Sequence, residues 1–281
     1  MMFNVFAAGL ITFRETLEVA LVVGILITFL TKTNQRTLIK YIWLGVFGGI
    51  VLSVLLAIVL NVAFGGFEGK TEQIFEGILM FVTAGLLTWM ILWVHRQTGV
   101  AKQIEHKAKQ HIESGFPLGL TILTITSVIR EGVETVFYLR ALSAVSGGNQ
   151  LPGAIVGITA AAVLGYAMFY YSLKINIKRL LKISGAILLL FAAGLVAHGV
   201  HEFQEASIFP LFSFDPLVNI SSVLDHKSTF GSLLRTLFGY TAKPTLLELI
   251  SYGSYVFLIF ILEQFTNRLL AAKARFPEVS S

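Results

Sequence analysis

Two five-residue stretches constrain this chain more than any other feature: Arg14-Glu15-Thr16-Leu17-Glu18 and Arg130-Glu131-Gly132-Val133-Glu134. Each reads R-E-x-x-E, and each interrupts an apolar run long enough to cross a bilayer. On a soluble helix such a motif is a solvated face with an Arg to Glu i,i+4 pair. In lipid it is a problem that the fold must solve. A charge at the centre of a membrane helix costs roughly 2.5 to 3.5 kcal/mol, so six left unpaired would cost on the order of 18 kcal/mol. The charges must therefore meet one another, or an ion.

The spacing allows both. Glu15 and Glu18 are i,i+3 and Arg14 is i,i+4 from Glu18, so the three share one helix face, and the second motif repeats that geometry. Each motif carries one positive and two negative charges, so a polyvalent cation would complete the pair. Glu15, Glu18, Glu131 and Glu134 are expected to be metal ligands, because oxygens from two facing helices make a hard site suited to iron or manganese. Arg14 and Arg130 cannot bind a cation. They are expected to keep the carboxylates ionised and oriented when the site is empty, and to weaken its field enough for the ion to leave.

The residues are 55% hydrophobic and only 13% charged, with a mean hydropathy of +0.78. That balance excludes a water-soluble domain and predicts an all-α polytopic membrane protein. The formal charge of +5 is not a nucleic-acid footprint, since the Lys and Arg residues concentrate in the links between apolar runs. The expected partner is the lipid bilayer, with no nucleic acid. There is no cysteine, which rules out thiolate metal sites and disulfide frameworks. The first apolar run is too long for a signal-peptide core and carries the first motif, so it is expected to belong to the mature protein.

A span needs about twenty apolar residues. Seven segments qualify: Val5 to Phe29, Tyr41 to Ala63, Ile74 to Val94, Pro117 to Leu139, Pro152 to Leu173, Ile183 to Phe203 and Leu246 to Phe265. Basic residues crowd alternate links, at Lys32 to Lys40, Arg96 to Lys109, Lys174 to Lys182 and after Arg268. Positive-inside bias then puts the N-terminus outside and the C-terminus in the cytoplasm.

The motifs recur in spans one and four. Gly45-x-x-x-Gly49 in span two is echoed by Gly153-x-x-x-Gly157 in span five, and Ala84-Gly85-Leu86 in span three by Ala193-Gly194-Leu195 in span six. Three spans per repeat is odd, so the repeats are expected to be inverted relative to each other, with a substrate site where they meet. The expected organisation is one transmembrane domain over residues 1–281. Repeat one covers 1–115, repeat two 116–205, an external loop 206–245 and a seventh helix 246–281. The glycine pairs are read as close-packing surfaces.

Span six ends in His198-Gly199-Val200-His201-Glu202-Phe203-Gln204-Glu205. His198, His201, Glu202 and Glu205 follow the i, i+3, i+4, i+7 rule and share one face at the outer surface. A polar helix end at the headgroups would explain them; a cation-entry site is the sharper expectation. Glu72 and Glu76 begin span three on the same side. The helix dipole accounts for Glu72, while Glu76, one turn deeper, is a further candidate ligand. Thr12, Thr16, Thr126, Ser127 and Thr135 are read as hydroxyls bonded to helix carbonyls.

With the paired motif placed in spans one and four, the chain resembles the iron permease family of oxidase-dependent iron transporters, the iron and lead transporter group. The stretch from Phe75-Glu76-Gly77 to Leu92-Trp93, the span-six exit, and Phe238-Gly239-Tyr240 followed by Pro244 extend the resemblance over nearly the whole chain. It implies high-affinity iron uptake by a multi-pass protein of the plasma membrane, with Glu15, Glu18, Glu131 and Glu134 matching the family's iron-translocating glutamates. Iron is then the transported substrate, and no cofactor is expected. The family is commonly coupled to an extracytoplasmic oxidase: a multicopper ferroxidase in fungi, or a haem peroxidase and an iron-binding lipoprotein in bacteria. This compact chain resembles the bacterial, ferrous iron permease form.

The expected function is a permease moving iron inward, and not an enzyme. Two alternatives stand beside it. One keeps the architecture and changes the cargo to manganese, lead or another hard cation. The other is a membrane-embedded carboxylate metalloenzyme, disfavoured because di-iron helical sites use Glu-x-x-His motifs and neither R-E-x-x-E stretch contains histidine.

Overall fold

The structure is a computed structural model describing residues 2–64, 68–96, 100–146, 149–171, 177–208, 231, 234, 239–241 and 244–275. Its regular elements are helical: α1 (Met2–Lys32), a 3-10 turn (Arg36–Leu38), α2 (Ile39–Phe64), α3 (Lys70–Arg96), α4 (Val100–Glu113), α5 (Leu118–Ser146), α6 (Leu151–Tyr170), α7 (Ile177–Glu205) and α8 (Leu246–Arg275). Each of the seven expected spans overlaps one of these helices, the end of the fifth at residues 172–173 lying outside the described residues. Helices α1, α2, α3 and α7 run past the apolar stretches at both ends, because backbone hydrogen bonding continues where hydropathy has stopped.

Among the described residues, five stretches are long and apolar enough to cross a membrane: Arg36–Ala63, Lys70–Leu92, Leu151–Tyr170, Arg179–Glu205 and Leu246–Phe265. With 31 and 29 residues, α1 and α5 are also long enough, but each carries the three charges of a motif. Most of the external loop expected over 206–245, including Pro210, Asp215, Pro216, Asp225 and His226, lies outside the described residues.

Helix ends are fixed by local chemistry. α1, α4 and α7 each stop at a residue of positive φ, namely Asn34, Gly115 and Ser207. In each case the next N–H reaches back to a carbonyl five residues earlier: Gln35 to Leu30, Phe116 to His111 and Ile208 to Phe203. This is a Schellman closure, which satisfies carbonyls that the last turn would otherwise leave without partners.

The chain forms two compact units. One comprises Met1–Glu68 and Gly99–Ser184, the other Gly69–Thr98 and Gly185–Ser281. In the first unit α1 packs along α6 and α5, and α2 along α5. The glycine pairs are where these helices meet. A Cβ on Gly153 would strike the Val5 carbonyl and one on Gly157 the Gly9 carbonyl; Gly45 and Gly49 seat on Thr124 and Val128 of α5 in the same way. Small residues here are a condition of approach, as the sequence pattern implies.

The stretch around Lys102 to Lys109, which sequence reading leaves as a basic link, folds into α4. Ile104, Ala108 and Ile112 lie at four-residue spacing and pack with Leu26, Leu30, Ile42 and Leu120 in one cluster. Lys102, Lys107 and Lys109 stay exposed. An apolar stripe this narrow on a charged segment escapes a hydropathy window but suffices to dock a helix.

In the second unit α3 packs on α8. It also meets α7, where Gly77 approaches the Gly199 carbonyl and Phe203, and Phe81 stacks on Phe203 with centroids 5.6 Å apart. Gly239, at φ +67°, lies against Gly194 of α7, where a side chain would collide with backbone.

Gly157→Ala should destabilise the purified protein by about 1–3 kcal/mol, because the new methyl meets backbone that no rotamer change can relieve. Gly85→Ala, with no described atom within 4 Å of the added carbon, should stay within about 0.5 kcal/mol of the parent. Thermal unfolding in detergent compares the two, and equal effects would remove close approach as the role of Gly157.

Candidate metal centre

Both motifs lie in the first unit, on the paired helices α1 and α5. Arg14 Nη1 stands 2.9 Å from Glu15 Oε1 and Nη2 stands 3.2 Å from Glu18 Oε1. In the second motif Arg130 Nε lies 3.6 Å from Glu131 Oε1 and 3.3 Å from Glu134 Oε1. Each guanidinium therefore bridges the two glutamates of its own helix, as i,i+1 and i,i+4 spacing permits. Arg14 is 1% exposed, among the largest fully buried side chains, whereas the Arg130 side chain is 36% exposed.

Across the helices, one carboxylate oxygen from each of Glu15, Glu131 and Glu134 lies within 4.8 Å of the other two. All three residues are buried. Glu18 does not join this group. Its carboxylate stays with Arg14, and its side chain is 13% exposed. Among the described residues no other three metal-capable side chains come so close.

Two oxygens of the trio, Glu15 Oε2 and Glu131 Oε2, are buried without a hydrogen-bond partner among the described residues. Leaving a buried charged acceptor unsatisfied costs more than about 1–3 kcal/mol. Orphaned carboxylate oxygens in a cluster of like charge fit a hard cation.

Sequence reading missed Tyr138. One turn beyond Glu134 and fully buried, it donates its hydroxyl to Glu134 Oε2 at 3.0 Å. The i,i+4 spacing was available as a signal, but tyrosine in an apolar run reads as core. Four of the five expected hydroxyls bond to carbonyls: Thr126 donates to Ile122, Ser127 to Leu123 and Thr135 to Glu131. Thr12 donates to Ala8 at 2.9 Å and lies 3.2 Å from the Ala154 carbonyl of α6.

The span-six residues lie in the second unit. His201 has both ring nitrogens on carboxylates, Nε2 at 3.1 Å from Glu205 Oε1 and Nδ1 at 2.7 Å from Glu248 Oε1. Gln73 Nε2 donates to Glu205 Oε2 at 3.0 Å. His198 turns Nδ1 back to the Gly194 carbonyl at 3.0 Å, while Glu202 and Glu76 are half-buried. These five expected ligands are not drawn into a second ligand-spaced trio.

Glu248 is the residue that sequence reading passed over here. Thr245-x-x-Glu248 has capping-box spacing, and Thr245 Oγ1 does accept from the Glu248 N–H at 3.3 Å. The Glu248 carboxylate instead reaches His201, and the Thr245 hydroxyl also donates to Gln204 Oε1 at 3.0 Å. The start of α8 is thereby tied to the end of α7.

A family model covering residues 5–277 matches this sequence, that of the Iron permease FTR1 family. The chain belongs to the Iron permease FTR1 family. Among its relatives are two proteins named ferrous iron permease EfeU. The one from Escherichia coli O6:H1 is 31% identical over 258 residues, which is 89% of this chain and 92% of the relative. The one from Yersinia pseudotuberculosis is 32% identical over 265 residues, 93% of each. No solved structure matches. FTR1 proteins and these relatives are permeases, not enzymes, which sets the metalloenzyme alternative aside. Apolar helices and family membership together make this FTR1 chain a membrane protein.

Glu248→Gln should lower stability by up to about 1 kcal/mol, the worth of an ion pair whose His201 side chain is about a third exposed. In a His201→Ala background the same change should cost less than about half as much, since contacting residues are non-additive. Equal costs in both backgrounds would show that Glu248 acts independently of His201.

Proposed function

We propose that this chain moves iron inward across the plasma membrane through a carboxylate site formed by Glu15, Glu131 and Glu134, with Glu18 held beside it by Arg14. The observation that carries the proposal is the buried trio with its two orphaned oxygens. Three carboxylates at this separation repel strongly in a low-dielectric interior, and the two arginines are each shared with the glutamates of their own motif. A cation entering the trio supplies the missing charge. The relatives' names specify ferrous iron, a hard enough ion for oxygen ligands.

The topology that serves this function has seven spans, the five apolar ones plus α1 and α5, with the N-terminus outside and the C-terminus cytoplasmic. In one transporter domain, α1 to α3 and α5 to α7 act as inverted repeats. The packing of α1 on α6 and of α5 on α2 supports this reading, since a pseudo-two-fold exchange converts one contact into the other. The outer end of α7 then presents His198, His201, Glu202 and Glu205, with Glu76 of α3, as the place where iron is first captured. An extracytoplasmic oxidase or iron-binding protein delivers it there. Inward passage of a divalent ion gains about 4.6 kcal/mol from a 100 mV potential, so no nucleotide is required.

Transport depends on release as well as binding. Arg14 and Arg130 already lie within salt-bridge reach of the ligands. When the ion moves on they re-form these pairs, which lowers the cost of the empty state and prevents the site from becoming a sink.

Glu15→Ala, Glu131→Ala and Glu134→Ala should each reduce labelled ferrous iron uptake into proteoliposomes to background while the proteins still melt cooperatively. Parental uptake in any of them would remove that residue from the pathway. Uptake by the parent should rise with an inside-negative potential, and a potential-independent rate would argue against net movement of positive charge. An all-oxygen site also suits manganese; ferrous iron should nonetheless outcompete manganese and lead, and equal competition would widen the cargo to hard cations generally.

A further inference from the structure

The two motifs are chemically equivalent, yet the structure gathers three of their four glutamates and leaves one out. Glu15 and Glu131, the first glutamate of each motif, are both in the trio. Of the second glutamates, Glu134 is in and Glu18 is not. Both sit i,i+4 from an arginine that contacts them at similar distance, 3.2 Å for Arg14 and Glu18 and 3.3 Å for Arg130 and Glu134. The arginine contacts differ in kind, since Arg130 Nε donates a hydrogen bond to Glu134 Oε1 while Glu18 Oε1 has only a charge contact with Arg14, but neither arginine fixes the second oxygen of its i,i+4 glutamate.

One turn further along each helix the sequences diverge. Position i+4 from Glu134 is Tyr138, while position i+4 from Glu18 is Val22. The Tyr138 hydroxyl donates to Glu134 Oε2 at 3.0 Å, and Arg130 holds Oε1 of the same carboxylate. Glu134 is thus gripped at both oxygens and its carboxylate plane is fixed. Val22 packs instead beside the apolar cluster around Leu26 and Leu30, and it offers Glu18 no donor.

We infer that Tyr138 is a positioning residue of the metal site, its hydroxyl orienting Glu134 so that this glutamate, rather than its repeat-related counterpart Glu18, completes the ligand trio. The inference rests on the carboxylate site proposed above. Physically it is the familiar outer-shell device in which a hydrogen bond fixes a ligand before the ion arrives, and loss of such a partner typically costs 10–100-fold in metal affinity. Tyr138 is fully buried, so water cannot substitute for its hydroxyl at low cost. A phenol also suits the position. Its ring fills helix-packing space as any core residue would, and the single oxygen donates without adding a further negative charge to an acidic site.

Tyr138→Phe removes one oxygen and keeps the ring. With ferrous ion under anaerobic conditions, the variant should show a dissociation constant about tenfold or more above the parent's in detergent. In proteoliposomes the half-saturating iron concentration should rise by a similar factor, with maximum uptake within about twofold of the parent. A purely structural role would instead lower the melting temperature and the maximum rate together. A double-mutant cycle supplies the second measurement. If Tyr138 acts through Glu134, adding Tyr138→Phe to Glu134→Gln should weaken ferrous binding less than about twofold further.

Unchanged affinity in Tyr138→Phe, while Glu15→Ala and Glu131→Ala abolish uptake, would overturn this inference and leave the carboxylate site standing. Retained uptake in the glutamate variants would overturn the site itself. A full additional loss in the double variant would likewise refute action through Glu134, even if the single variant is poorly stable.

Discussion

Repulsion between buried carboxylates is the constraint on which the first unit is built. Glu15, Glu131 and Glu134 are held close together where little water reaches them, and Coulomb repulsion there is several times stronger than in solvent. The fold tolerates this through two guanidiniums, each placed by helical periodicity beside the acids of its own helix. Because Arg14 lies one residue before Glu15 and one turn before Glu18, the compensation is local and forms as soon as α1 does. The remaining imbalance is two carboxylate oxygens between the helices, Glu15 Oε2 and Glu131 Oε2, buried without a hydrogen-bond partner among the described residues.

Bringing two such helices together requires that nothing else keep them apart. The glycines of α2 and α6 let each motif helix gain a close-packed neighbour beside that pair. Gly153 and Gly157 let α6 lie against the backbone of α1, and Gly45 and Gly49 let α2 lie against α5. Apolar association gains nothing between helices that lipid already solvates, so close backbone contact has to supply the cohesion. α4 adds a clamp outside the span set, its apolar stripe buried against α1, α2 and α5 residues while its lysines stay exposed. The functional carboxylates and the packing glycines thus belong to one design, in which cohesion elsewhere offsets strain at the site.

The two motifs are not used alike. Arg14 is sealed in, Arg130 is about a third exposed, and only the second motif has a tyrosine one turn on. The second unit shows a comparable division of labour. The carboxylate of Glu248, at the start of α8, is committed to His201 at the end of α7, which gives the last helix a task beyond spanning.

The sequence by itself determined the all-helical class of fold, the long apolar helices of a membrane protein and the pairing of charges within each motif. All three follow from periodicity and from the cost of placing polar groups in lipid, and both are local properties. It also marked the glycines at which helices meet, since a missing side chain is visible in the letters. That the two motif helices meet was legible in the cost of unpaired charge, but which of their glutamates converge was decided only in three dimensions: four acids had equal standing in the sequence, and three came together. Tyr138 and Glu248 were illegible for the same reason. One reads as core and the other as half of a capping box until a partner four residues or forty-seven residues away turns toward it. Local spacing fixes what a side chain can reach along its own helix, while the neighbour that lies within that reach is a property of packing.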